Sequence, residues 1–103
     1  MLIAAMKVVF DEDCYPAKDW TRGATSLCVK LQSRYKVLAK PEHKQSELAI
    51  IAVCLVADEH KGDVLFDKIL ESCETYGLGR VVDDERIMEE CQEIFNPRAL
   101  MDK

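Results

Sequence analysis

Glu47 to Asp58 reads ELAIIAVCLVAD. From Leu48 to Ala57 no residue is polar, and Ile50, Ile51, Val53 and Val56 are β-branched. A run of this length suits a strand buried on both faces better than a half-exposed strand or a core helix. Acidic residues close both ends, and the run is far short of the roughly 20 apolar residues a membrane helix needs. It is therefore expected to form the central strand of a small sheet.

Around that strand, 103 residues suffice for one domain with a single core and no disulfide or metal staple. Hydrophobic content of 49% and charged content of 32% fit a folded soluble protein and exclude a disordered one. The opening MLIAAMKVVFDED lacks a basic leader and a small-residue cleavage site, which makes it a poor signal peptide and points to the cytoplasm. Leu2 to Phe10 instead reads as the first strand. Leu2, Ala4, Met6, Val8 and Phe10 share one face, and Ile3, Ala5 and Val9 share the other.

Ala17 to Tyr35 follows as a helix. Trp20, Ala24, Leu27, Cys28, Leu31 and Tyr35 recur at three- and four-residue spacing along one stripe. Gly23, near that stripe, suggests a close approach to the sheet. Lys36 to Lys40 is expected as a short edge strand protected by lysines, and Pro41 to Ser46 as a polar hairpin connection. A second helix is expected from Glu59 to Tyr76, capped by Asp58 and ended by Gly77. Arg80 to Ile87 reads as the last strand. Ile87, Cys91, Ile94 and Phe95 lie at helical spacing and suggest a short terminal helix. Residues 1–95 form one domain on this reading, and 96–103 a tail.

The order is thus β-α-β-β-α-β. Two interleaved βαβ units of this kind give a ferredoxin-like α+β sandwich, a four-stranded antiparallel sheet with two helices on one face. Its first and third strands are central, and here both are apolar on nearly both sides. One sheet face would then be left wet and greasy unless it is covered. The covers available are a second copy, packed sheet on sheet, or the chain's own Ile87–Phe95 segment. The homodimer is favoured, with Ala4, Met6, Val8, Ile50, Ala52, Cys54, Ile87, Cys91, Ile94 and Phe95 as the expected interface.

Ala17 to Val37, AKDWTRGATSLCVKLQSRYKV, resembles the YlxP-like family of uncharacterised bacterial proteins. That family has a basic segment opening a long helix, an R-F/Y-N-V exit and a glutamine-containing loop before the central strand. Lys18 and Arg22 match two basic positions; Ser26, Leu27, Leu31, Arg34, Tyr35 and Val37 fit the helix and its exit; Arg80-Val81-Val82 looks like the final strand. Trp20 stands where lysine is usual, Lys36 replaces the asparagine, and only Gln45 matches the loop. The resemblance spans Leu2 to Ile87. It implies a ferredoxin-like fold and a ribosome- or RNA-linked role.

Charge is uneven within a net −5. Between Lys18 and Lys44 seven basic residues face two acidic ones, whereas from Gln45 onward six face fourteen. Such a chain does not bind nucleic acid over its whole surface, but Lys18, Arg22, Lys36, Lys40 and Lys44 are candidate RNA-phosphate contacts. A solvated helix face and a charged edge strand are the simpler account of them. Asp11, Glu12 and Asp13 offer oxygen ligands to a hard cation, though an acidic turn is the simpler account. Five cysteines without a C-x-x-C pair read as buried reduced thiols, with Cys14 the most plausible reactive one. His43 and His60 pair with no nucleophile in any motif. Gly77-Leu78-Gly79 leaves a helix rather than opening one, so it is not a dinucleotide loop. No catalytic residue, metal site, cofactor or small-molecule substrate is indicated. The expectation is a non-catalytic association domain, with an RNA- or ribosome-binding factor as the alternative.

Overall fold

The structure, a computed structural model, describes residues 1–11, 17–44 and 47–90. Its elements run β1 (Leu2–Phe10), α1 (Ala17–Tyr35), β2 (Leu38–Lys44), β3 (Glu47–Val56), α2 (Glu59–Thr75) and β4 (Val81–Glu90). The four strands form one antiparallel sheet in the order β2-β3-β1-β4. This is the ferredoxin-like α+β arrangement expected from the element order, with β3 and β1 in the middle. Among the described residues, no helix is long and apolar enough to cross a membrane.

Alternation decides which side of each inner strand is buried. In β1, Leu2, Ala4, Met6, Val8 and Phe10 are buried and the residues between them are only half-buried. Their register partners in β3 are Val56, Cys54, Ala52, Ile50 and Leu48. Both helices pack on that face. Trp20, Leu27 and Leu31 of α1 and Phe66, Ile69 and Cys73 of α2 join the same core. Trp20 is fully buried and meets Phe10 edge-on, with ring centroids 5.9 Å apart. Each fully buried large side chain contributes roughly 1.5–3 kcal/mol over exposure, so this single layer of contacts carries most of the stability.

Local signals set the helix ends. Asp58 caps α2 by accepting from the Lys61 N–H at 2.8 Å, which satisfies one of the free donors of the first turn. Beyond α2, Gly77 takes φ +84°, a left-handed conformation in which only glycine avoids a steric penalty. Gly23 admits Leu78: a methyl at Gly23 would lie 2.8 Å from Leu78 Cδ1. The close approach expected of Gly23 is thus to the segment after α2, not to the sheet.

Two boundaries differ from expectation. β2 begins at Leu38 and continues through Pro41 to Lys44. Proline lacks a ladder donor, but an edge strand has a neighbour on one side alone and tolerates it, so the strand is not interrupted. β4 continues to Glu90, so residues 88–90 are strand and not the start of a helix. Arg86 explains how so polar a strand is held. It points to the helix side, 22% exposed, and binds Asp67 at 2.8 Å, Asp63 at 3.3 Å and Asp84 at 3.2 Å. Partial burial works against the guanidinium charge. The hydrogen bonds it donates to Asp67 and Asp63 outweigh this, and the net shift of its pKa is upward. The terminal helix expected to reach Phe95 lies outside the described residues beyond Glu90.

Candidate functional site

Because both helices occupy one side, the opposite side of the sheet has no helix over it among the described residues. The register lays that face out row by row. Leu38 of β2 pairs with Val53 of β3, Val53 with Ala5 of β1, and Ala5 with Ile87 of β4. This row is apolar across the full width of the sheet. On one side of it Leu55 and Ile3 extend the patch. On the other lie Ile51 and Val9, with Ala49 at the same parity but fully buried. Leu38 is 72% exposed, Ile87 60% and Leu55 59%. Contiguity matters more than any one value. Val29 and Val64, on the helices, are also exposed, but isolated apolar residues on a surface are ordinary whereas a joined patch is not.

Charge frames this patch unequally. The open face of β2 carries Lys40, Glu42 and Lys44, and that of β4 carries Asp83, Glu85 and Glu89. One sheet edge is therefore mainly basic and the other wholly acidic. Lys7 is the single charge on the open side of β1. Its ammonium pairs with Glu47 at the far end of β3, which directs it away from the Leu38–Ile87 row and lays its stem along the sheet. The hydrogen bond that Lys7 donates to Glu47 raises its pKa, so this amine stays charged.

The expected interface residues divide by parity. Ala4, Met6, Val8, Ile50 and Ala52 face the helices and are no more than 1% exposed. They are core and are corrected here: strand alternation puts Ile3, Ala5, Val9, Ile51, Val53 and Leu55 on the open side instead. Cys54 pairs with Ala4 and also lies on the helix side. Ile87 alone of the described expected residues is on the open face. Cys91, Ile94 and Phe95 lie outside the described residues. Sequence does hold a signal for the right parity, because Lys7 falls among Ile3, Ala5 and Val9 and marks their side as the wet one.

The five basic positions considered for RNA are not gathered on one surface. Lys40 and Lys44 project from the open sheet face, whereas Arg22 is exposed on α1, across the sheet from them. Lys36 sits in the turn after α1 with φ +58°. Lys18 is the second residue of α1, and its side chain lies outside the described residues. A different set of nitrogen-bearing side chains does share a groove. Arg34, His60, Lys61 and Lys68 line a shallow space of about 840 Å³ between the end of α1 and α2, with Tyr35 and Ser72 at its floor. The two hydroxyls bond each other at 2.8 Å.

Reactive chemistry is poorly provided for. Burial pushes the Cys28 thiol up to about 11 and the Cys73 thiol up to about 12, and raises Cys54 as well. Thiols so held stay protonated and inert near neutrality. Cys14, Glu12 and Asp13 lie outside the described residues. Asp11 is engaged by Arg80 at 3.0 Å. Among the described residues no three His, Cys, Asp or Glu side chains are grouped to hold a metal ion. No protein-family model matches the chain, and no curated protein matches its sequence. The likeness to the YlxP-like family therefore rests on the residues quoted for it above.

Proposed function

We propose that this chain is a non-catalytic, cytoplasmic domain that acts by association through its open sheet face, with a second copy of itself as the first partner. One observation carries the reading: the unbroken apolar row Leu38–Val53–Ala5–Ile87, which crosses all four strands on the side away from the helices. Four strands about 4.8 Å apart, each contributing about eight residues at about 3.3 Å, give a footprint of about 500 Å² per copy. Two copies bury about 1,000 Å², the lower limit for a specific interface. A modest, reversible dimer is the consequence. The long β4 edge is a weaker candidate for pairing, because Asp83, Glu85 and Glu89 would repel a second acidic strand.

Methyl NMR across a dilution series tests this. Methyl signals of Leu38, Leu55 and Ile87 are expected to move together with concentration, while those of Val29 and Val64 on the helical layer stay fixed. Movement confined to the helical layer, or none up to millimolar concentration, would refute it. The ribosome- or RNA-binding alternative has less support, since Arg22 is separated by the sheet from Lys40 and Lys44.

A further inference from the structure

We infer that the two copies meet about a two-fold axis running parallel to the strands, which sets β2 of each over β4 of the other and pairs Lys40 with the partner's Glu85. This rests on the open face being the self-association surface, and it specifies how that surface is used.

A symmetric face-to-face pair has its two-fold axis in the plane between the sheets, and the same patch serves both copies. For sheets packed with their strands nearly aligned, that axis lies either across the strands or along them. An axis across the strands puts β4 over the partner's β4. Asp83, Glu85 and Glu89 would then face the same three acids, and the Lys40 and Lys44 edge would face itself. Like charges brought together in this way oppose association strongly.

An axis along the strands reverses the edges and keeps each row opposite its own copy. The row Leu38–Val53–Ala5–Ile87 then meets the partner's Ile87–Ala5–Val53–Leu38. Leu38 covers the partner's Ile87 at both edges, and Val53 covers the partner's Ala5 at the centre, a large residue over a small one. In the adjacent row Lys40 lies over the partner's Glu85, and the contact is made twice by symmetry. Leu55 covers the partner's Ile3 beyond the apolar row. Two pairings are unfavourable: Ile51 lies over the partner's Lys7, whose ammonium turns aside to Glu47, and Glu42 faces the partner's Asp83. The second lies in the outermost of these rows, between Lys40 and Lys44, where solvent and both lysines screen it.

Zero-length carbodiimide cross-linking of mixed unlabelled and ¹⁵N-labelled full-length chains tests the arrangement, because amide links between light and heavy peptides can only be intermolecular. The expected product joins Lys40 to Glu85. Lys40→Glu and Glu85→Lys should each weaken the dimer about tenfold. The double variant Lys40→Glu/Glu85→Lys should recover the parental affinity, which also shows that neither change acts by unfolding the chain. A chain that sediments as a dimer but links Lys40 to the partner's Glu42, or in which the double variant is no better than the single ones, overturns the axis and leaves the association itself standing. A chain that is monomeric at every concentration overturns both.

Discussion

Replacing Ile87 with alanine separates the proposed association surface from the fold. Ile87 is 60% exposed and sits on the outer strand of the sheet, so the monomer depends on it little. The substitution removes three carbons, each contributing about 0.8 kcal/mol when fully taken from water. Scaled to the exposed share that a partner would cover, the loss is about 1.4 kcal/mol per copy. Symmetry doubles it to about 3 kcal/mol per dimer, or about 100-fold in Kd. Within the monomer the change costs less than about 1 kcal/mol, from strand propensity alone. Sedimentation equilibrium of the variant and the parent gives the two dissociation constants, and thermal melts at dilutions below both confirm that the fold is kept. Val29→Ala is the control, since Val29 is equally exposed at 60% but lies on α1. An Ile87→Ala dissociation constant within about threefold of the parent's, or an equal loss in Val29→Ala, would refute the assignment of the surface.

Lys7→Met should tighten the dimer by about three- to tenfold in the same assay, because it removes an ammonium that association partly desolvates, while Glu47, 44% exposed at the end of β3, keeps its contact with water. Arg86→Ala should destabilise the monomer by about 1 kcal/mol, lowering Tm by several degrees. Asp63 and Asp67 are largely exposed, so the difference should shrink in high salt. Cys28 and Cys73 predict an alkaline weakness: above about pH 9 the unfolded chain releases these protons while the folded chain holds them to about 11 and about 12. Stability contributed by each thiol is complete below the unfolded pKa and is lost as pH rises toward the folded one. Cys73→Ala should therefore flatten the fall of unfolding free energy between pH 9 and 11 by up to about 1.4 kcal/mol per pH unit, read from denaturant melts.

The architecture is legible in the sequence because its strongest signals are local ones. The apolar run from Leu48 has a single good home in the middle of a sheet, and the α1 stripe admits one helical phase. Asp58 and Gly77 mark the ends of α2 by side-chain and backbone preferences that no tertiary contact overrides. Pro41 misleads because proline is read as a break, whereas an edge strand, with a neighbour on one side alone, tolerates its missing donor. The last strand is obscured by DDER and MEE, whose inner face is charged. Arg86 is made acceptable there by Asp84 beside it and by Asp63 and Asp67 of α2, which are distant in sequence.

The site is harder to read for a different reason. Both parities of β1 and β3 are apolar apart from Lys7 and the terminal Glu47, so period-two alternation leaves little more than one lysine to tell the core face from the open one. Burial beneath Trp20 and Phe66 settles it for Ala4, Met6 and Val8, and releases Ile3, Ala5 and Val9 to the surface. Pairing across four strands then creates the row that links Leu38 with Ile87, residues 49 positions apart in the chain. No window along the sequence contains that row.

Sedimentation equilibrium of the unmodified chain, from low micromolar to several hundred micromolar, tests the central claim most directly. A single reversible monomer–dimer transition, lost in Leu38→Ala/Ile87→Ala, is the predicted result. A monomer throughout that range, or a dimer indifferent to both substitutions, would contradict it.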